Sequence, residues 1–284
     1  MKITALVENT TTHDDIETEH GLSLYIEANG HKILFDMGQS DMFARNADRL
    51  GIDLEDVDMC VLSHGHYDHG GGIKTFLELN KKAKIYMNEY AFEPHYNGTE
   101  KYIGLDVSLI SHKKNHEITG YRETKKVCGE QVGSNGRFVM VGDELELDTG
   151  LTLYSCNKKV RENNLGAFGL TVMKDGLLME DDFRHEQYLL IEEDGKKILI
   201  SGCSHKGIVD ITNWFKPDVL VGGFHFMKLD VEKDKDVLMD AATKLMSHKT
   251  KYYTCHCTGC EQYDFLKSIM NEQVEYIRAG DYAQ

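Results

Sequence analysis

Side chains able to hold a metal ion crowd into one stretch of this 284-residue chain, Leu62-Ser63-His64-Gly65-His66-Tyr67-Asp68-His69-Gly70-Gly71-Gly72. Three imidazoles and one carboxylate fall between His64 and His69. These are the donors that divalent zinc, iron and manganese accept in mixed nitrogen and oxygen sites. A solvated polar loop has no reason to concentrate them, so the stretch reads as a metal-binding turn.

The flanking residues say how the turn is held. Val57, Met59, Val61 and Leu62, with Cys60 between, predict a short buried strand, and the glycines open an amphipathic helix containing Ile73, Phe76, Leu77 and Leu79. On a strand-to-helix turn His64 and His66, two apart, point the same way from extended backbone, while Asp68 and His69 at the helix start can face a second ion.

The pattern His-x-His-x-Asp-His after a hydrophobic strand resembles the signature of the metallo-β-lactamase superfamily. Followed by three glycines, it is similar to the branch of superfamily II metal-dependent hydrolases related to the dihydropterin-6-yl-methyl ribofuranosylaminobenzene phosphate synthase. Supporting stretches are Glu19-His20-Gly21-Leu22-Ser23, Ile33 to Gln39, Glu180-Asp181-Asp182-Phe183, His185-Glu186-Gln187, Ser201-Gly202-Cys203-Ser204-His205, Gly222-Gly223-Phe224-His225 and His256-Cys257-Thr258-Gly259.

The resemblance implies an α/β fold, the four-layer αββα sandwich, with residues 1–284 forming one domain and a variable pocket or flap region at about 88–180. It also implies two divalent metal ions, zinc with iron or manganese as alternatives. His64, His66 and His185 would surround one ion, and Asp68, His69 and His256 the other. Cys203 stands where the superfamily usually has a bridging Asp, and a thiolate is a good zinc or iron ligand. His205 is a fallback ligand or a substrate contact, His225 lines the pocket, and Asp36 matches a carboxylate that orients a ligand imidazole from behind. An Asp36 that caps the helix near Ser40 is the alternative.

Two close metals lower the pKa of a shared water and polarise a carbonyl or phosphoryl oxygen. The expected activity is therefore hydrolysis of a small ester, lactone, thioester or phosphoester, pterin-related on the resemblance, with Asp68 helping to hold the attacking water. The same ligand types can hold two irons and reduce oxygen or nitric oxide, which is the alternative reading. Cys255, Cys257 and Cys260 also invite a structural zinc knuckle, although no second cysteine pair completes one.

Along the chain, 2–7 and 22–28 read as strands, with Glu8 and Asn9 leaving the first toward a site mouth. Asn29-Gly30 between apolar runs is a hairpin signal. Residues 41–50 predict a helix, 84–87 a strand, and 88–103 an irregular aromatic segment. From 106 to 150 the pattern suggests extra strands or a flap, with Lys113, Lys114, Lys125, Lys126 and Arg137 as candidates to meet a substrate anion. Strands at 152–156 and 168–173, a hairpin over 188–200, a helix over 207–215, a strand over 219–223, a helix over 235–249 and a strand over 252–254 complete the reading.

The net charge of −15 excludes a nucleic-acid surface, because phosphate neutralisation needs clustered Lys and Arg. The expected partner is a small molecule, anionic or not, since a metal supplies its own positive charge. No apolar run approaches the ~20 residues that span a membrane. Seven scattered cysteines imply no disulfide framework, and together with a start too short for a signal core they fit a reducing cytoplasm.

Overall fold

The computed structural model describes residues 1–109, 131–132 and 136–283. An eight-stranded sheet runs in spatial order Tyr282–Ala283, Lys2–Val7, Ser23–Ala28, His31–Phe35, Met59–Val61, Lys84–Asn88, Phe138–Val141, Gln131–Val132. A seven-stranded sheet runs Glu144–Asp148, Leu151–Tyr154, Tyr188–Glu193, Lys196–Ile200, Val219–Val221, Lys251–Thr254, Val274–Tyr276.

Period-two alternation makes these sheets two-faced. Ile33, Phe35, Met59 and Val61 of the first sheet meet Leu189, Ile191, Ile198 and Ile200 of the second in one buried core. The residues between them face outward. Leu34 and Cys60 pack with Phe43, Ala47, Ile73 and Phe76 of helices Met42–Arg49 and Ile73–Leu79. Tyr188 and Leu199 pack with Ile211, Leu238, Ala242 and Leu266 of helices Ile208–Phe215, Lys235–Met246 and Cys260–Met270. The layers are therefore helix, sheet, sheet, helix: the expected αββα sandwich. Each fully buried aliphatic side chain contributes roughly 1.5–3 kcal/mol.

The Asn29-Gly30 hairpin forms, with both residues at positive φ, as its tight turn demands. Four strands of the first sheet, His31–Phe35 through Phe138–Val141, run parallel, as do Lys196–Ile200 through Val274–Tyr276 in the second. Parallel strands release their following loops at one rim. Asp36, His64, Cys203, His225 and His256 all lie just beyond such strand ends.

Two expectations change. Residues 88–103 hold strands His95–Asn97 and Lys101–Tyr102, which join Leu170–Lys174 and Leu177–Glu180 in a third, four-stranded sheet; two- and three-residue strands are too short to show alternation. Of the two readings of 106–150, extra strands or a flap, the described part gives strands: Phe138–Val141 and Glu144–Asp148 enter the main sheets. Lys113, Lys114, Lys125 and Lys126 lie outside the described residues. Arg137 is not aimed at a substrate: its guanidinium donates to the carbonyls of Ala83 and Asn80 at 2.6 and 2.9 Å. No helix among the described residues is long and apolar enough to cross a membrane.

Candidate metal centre

The metal loop leaves strand Met59–Val61 and enters a one-turn helix, Tyr67–Gly70. Residue 65 must be glycine, because a Cβ there would strike the Ala91 carbonyl. His64, His66, Asp68 and His69 are all buried, and so are His185, Cys203, His205 and His256, which distant segments deliver.

The rings of His64, His66 and His205 form a triangle with centroid separations of 4.5, 4.8 and 5.1 Å. Imidazoles bound to one tetrahedral ion through bonds of about 2.0–2.1 Å have ring centres about 5 Å apart. His64 Nε2 and His205 Nε2 face each other at 3.3 Å, the spacing of neighbouring donors in such a shell. Phe183 stacks on His205 at 4.5 Å and 9°. The N–H groups of His205 and Lys206 donate to the buried Glu186 carboxylate at 2.7 and 3.0 Å. Burial lowers the Lys206 amine to about 8, and its Nζ donates to the Ser155 and Glu186 carbonyls, so this lysine is a strut behind His205.

His185 departs from expectation. Its Nδ1 accepts the Gly65 N–H at 2.9 Å, so the ring hydrogen sits on Nε2, 3.3 Å from Asp181 Oδ2. A neutral imidazole in that tautomer has no lone pair left for an ion. His95 Nδ1 shares the same carboxylate oxygen at 2.9 Å. His185 thus braces the loop between His64 and His66; by donor-atom distance it gathers with His66, His95 and Asp181, while His205 gathers with His64 and Cys203. Burial first, and then His95, lower His185 to about 4.

On the other side, His69, Cys203 and His256 each place one donor atom within 4.8 Å of the others, with Cys203 Sγ 3.2 Å from His69 Nε2. Asp68 Oδ2 lies 3.3 Å from His20 Nε2 and 3.6 Å from His256 Nε2. These imidazoles are aimed from behind. Asp36 Oδ2 lies 2.7 Å from His69 Nδ1 and accepts from the Ser63 hydroxyl at 2.7 Å, while Asp36 Oδ1 accepts the Ser63 N–H at 2.7 Å. Asn9 Oδ1 lies 2.8 Å from His256 Nδ1, and Glu8 accepts the His256 N–H at 2.6 Å. With Nδ1–H engaged, Nε2 is left as the donor atom, the usual arrangement behind metal-bound histidines. Asp36 caps no helix, since helix Met42–Arg49 begins without a side-chain cap.

The buried groups of the centre shift in both directions. Burial, reinforced by neighbouring imidazoles, holds His64, His66 and His205 well below the ordinary histidine value, so they keep their lone pairs. Burial would raise Asp68, but His69 and the hydrogen bonds from His20 and His256 outweigh it and hold the carboxyl well below its usual range. Burial likewise opposes protonation of His69, and Asp36 and Asp68 overcome it, so His69 is raised.

Cys203 Sγ belongs to three donor sets: with His64 and His205, with His69 and His256, and with His225 and Cys257. The Cys255 to Cys260 run forms no knuckle. Cys255 is buried between the main sheets, Cys260 is exposed, and only Cys257 turns toward the centre. The six described cysteines are free thiols. A cavity of about 160 Å³ opens onto His66, Asp68, Cys203, His205, His225 and His256. A larger one of about 250 Å³ adjoins it at His205 and His225 and is walled by Phe168, Phe224 and Phe226.

Sequence reasoning gave no role to His20, His95 or Asp181, and offered Cys257 only to a zinc knuckle. His20 and Asp181 stood inside stretches that carried the resemblance. His95 carried no spacing signal, because it meets Asp181 only through pairing of His95–Asn97 with Leu170–Lys174.

Comparison with known proteins shows the family and the fold. The family model of the metallo-beta-lactamase superfamily matches residues 17–248. A 7,8-dihydropterin-6-methyl-4-(beta-D-ribofuranosyl)-aminobenzene-5'-phosphate synthase of Methanocaldococcus jannaschii is 30% identical, covering 99% of this chain and 95% of that protein. A solved metal-dependent hydrolase of the beta-lactamase superfamily superposes with a TM-score of 0.77 at 25% identity, over 100% of this chain and 98% of that one. Zinc-bound PqqB from Methylobacterium extorquens shares the fold, with a TM-score of 0.54 at 10% identity over the whole of both chains.

Proposed function

The chain belongs to the metallo-beta-lactamase superfamily, and we propose that it hydrolyses a small ester, lactone, thioester or phosphoester at a two-metal centre. One divalent ion would lie among His64, His66 and His205, the second among Asp68, His69, Cys203 and His256. The observation that carries this reading is the approach of His64 Nε2 to His205 Nε2 inside a triangle of neutral imidazoles. The mixed nitrogen, oxygen and sulfur donors suit zinc, with iron or manganese as alternatives.

Bound there, the ions would supply an activated water at neutral pH and a Lewis acid for the substrate oxygen. The chain's own residues do the rest. Asp68, kept ionised, is a weak base; it accepts a hydrogen bond from the attacking water and aims it. His20, half-exposed beside Asp68, is placed to pass the released proton to solvent. Phe183 and the third sheet exclude bulk water from the His205 side.

Substrate choice falls to residues 88–180, which we take as the variable wall of one domain. Asn97, Lys101, Ile103 and Leu170 line the smaller cavity, and Leu165 and Phe168 the larger. The name of the archaeal relative suggests a substrate with a planar pterin ring and a phosphate. Phe168, Phe226 and His225 offer ring faces to such a group, and Lys101 and Lys228 offer charge.

The deciding experiment loads metal-free protein with zinc or manganese under anaerobic conditions and assays a nitrophenyl phosphodiester and an activated lactone. Turnover that rises with metal occupancy is expected, slow for want of remote binding energy. Activity confined to the iron form, and only with oxygen or nitric oxide and an electron donor, would replace hydrolysis by redox chemistry.

A further inference from the structure

Cys257 and His225 are not used by the centre described above, yet both point at it. Cys257 is buried, and its Sγ lies 3.5 Å from the Cys203 carbonyl oxygen. Cys203, His225 and Cys257 each place one donor atom within 4.8 Å of the others. Both ring nitrogens of His225 are shut off from solvent and have no hydrogen-bond partner. A half-buried imidazole whose two enclosed nitrogens find no partner at hydrogen-bonding geometry, with only the Cys257 thiol nearby, is costly unless something absent from the protein itself meets it.

The surrounding backbone is shaped to hold this trio. A Cβ on Gly223 would collide with Cys257 Sγ, so the glycine leaves the space the sulfur fills. Thr258 Oγ1 accepts the Phe224 N–H at 2.8 Å and locks the 223–225 loop to the 256–258 turn. Ser204, His225 and His256 adopt left-handed backbone, with φ of 58°, 56° and 48°. Such backbone persists only where its surroundings over-determine it. One of the three lies in or beside each arm of the trio.

We propose that Cys203, Cys257 and His225 form a further cation site, with two sulfur donors and one nitrogen, for a thiophilic divalent ion of the zinc, cobalt and cadmium class. The inference rests on the two-metal reading only in sharing Cys203, whose thiolate would bridge to the neighbouring ion. Three protein donors leave a fourth position, and the cavity lined by Cys203, His225, Cys257 and Lys228 lies in front of it.

The test titrates cobalt(II) into metal-free full-length protein, reading the thiolate charge-transfer band in the near ultraviolet, the visible ligand-field band, and bound cobalt per chain by elemental analysis. In Cys257→Ser, and in His225→Gln, one cobalt fewer should bind per chain. Cys257→Ser should also lose about two thirds of the charge-transfer intensity, two of three sulfur–cobalt bonds, while keeping the ligand-field band of the histidine centre. Cys255→Ser, altered in the core between the sheets, should match the parent. The cadmium-113 resonances of the unmutated protein, whose positions report thiolate count, should include one from a two-thiolate site. An unchanged cobalt count and band in Cys257→Ser, or cadmium resonances showing at most one thiolate per ion, would overturn the inference and leave the two-metal reading standing. A parent that binds no cobalt overturns both.

Discussion

His64 Nε2 and His205 Nε2 approach to 3.3 Å across 141 residues of sequence, and this contact sets which histidines can share an ion. His185, expected in that role, has Nδ1 occupied by the Gly65 N–H and Nε2 turned to Asp181.

The first prediction follows from this contrast. His205→Gln should weaken zinc or cobalt binding at the first site by at least about a hundredfold, as loss of a direct ligand exceeds the 10–100-fold typical of outer partners. His185→Gln should retain the same number of ions. Isothermal titration of metal-free protein decides it, and the reverse order of effects would restore His185 as the ligand.

Asp36 provides a second prediction. Asp36→Asn keeps the shape but removes the charge that aligns His69 and holds Ser63. Affinity at the second site should fall about 10–100-fold with little change at the first. Competition with a chelating dye resolves the two sites, and equal weakening of both would argue against a local role.

Stability against pH follows from the buried histidines. His185 titrates near 4 in the folded chain and near ~6.5 unfolded. As pH falls below ~6.5 the unfolded state takes up a proton that the native state refuses until about 4, so stability is complete above ~6.5 and is lost on the way to 4. His64, His66 and His205 carry the same sign, and His69, raised, the opposite. The metal-free protein should therefore melt at progressively lower temperature from pH 7 to pH 5. In denaturant titrations His185→Gln should flatten the dependence by about one proton, roughly 1.4 kcal/mol per pH unit in the steep region. A melting temperature that holds constant or climbs over that range would mean the imidazoles are charged in the folded state.

The aromatic cavity gives a fourth prediction. Phe168→Ala should raise KM for the true substrate several-fold with kcat nearly unchanged, because the ring contacts the bound molecule alike before and during reaction. Steady-state kinetics against any hydrolysed ester that shows saturation measures it. An equal fall in kcat and kcat/KM would move Phe168 from binding to the reacting geometry.

Much of this was legible in the sequence where the signal is local. The metal loop declares itself through donor density over six residues, and the sheets through alternation such as Ile33, Leu34, Phe35. The role expected of Asp36 came from the resemblance, in which a strand ends in Asp-x-Gly beneath the metal loop. What stayed hidden depends on hydrogen-bond direction and on pairing at long range. Nothing in Asp182-Phe183-Arg184-His185 says that Gly65 will donate to that ring and fix its tautomer. The cysteine run reads as one cluster, yet the turn from Cys255 to Cys260 sends three sulfurs to a core, a metal centre and solvent.

The first strand has Tyr282–Ala283 at its edge, and Glu8 at its end grips the His256 backbone and the Tyr276 hydroxyl, at 2.6 and 2.7 Å. Segments near both ends of the described chain thus meet behind His256, one of the proposed ligands of the second ion. This imposes an order on synthesis. A nascent chain can expose the His64 to His69 loop early, but Glu8 and Asn9 have no imidazole to hold until residue 256 has cleared the ribosome. Metal caught before then would sit in a half-built shell with fast release. On the proposed two-metal reading, stable loading of the second ion waits for His256, and supplying the ion to the folded protein should recover the same occupancy as supplying it throughout synthesis.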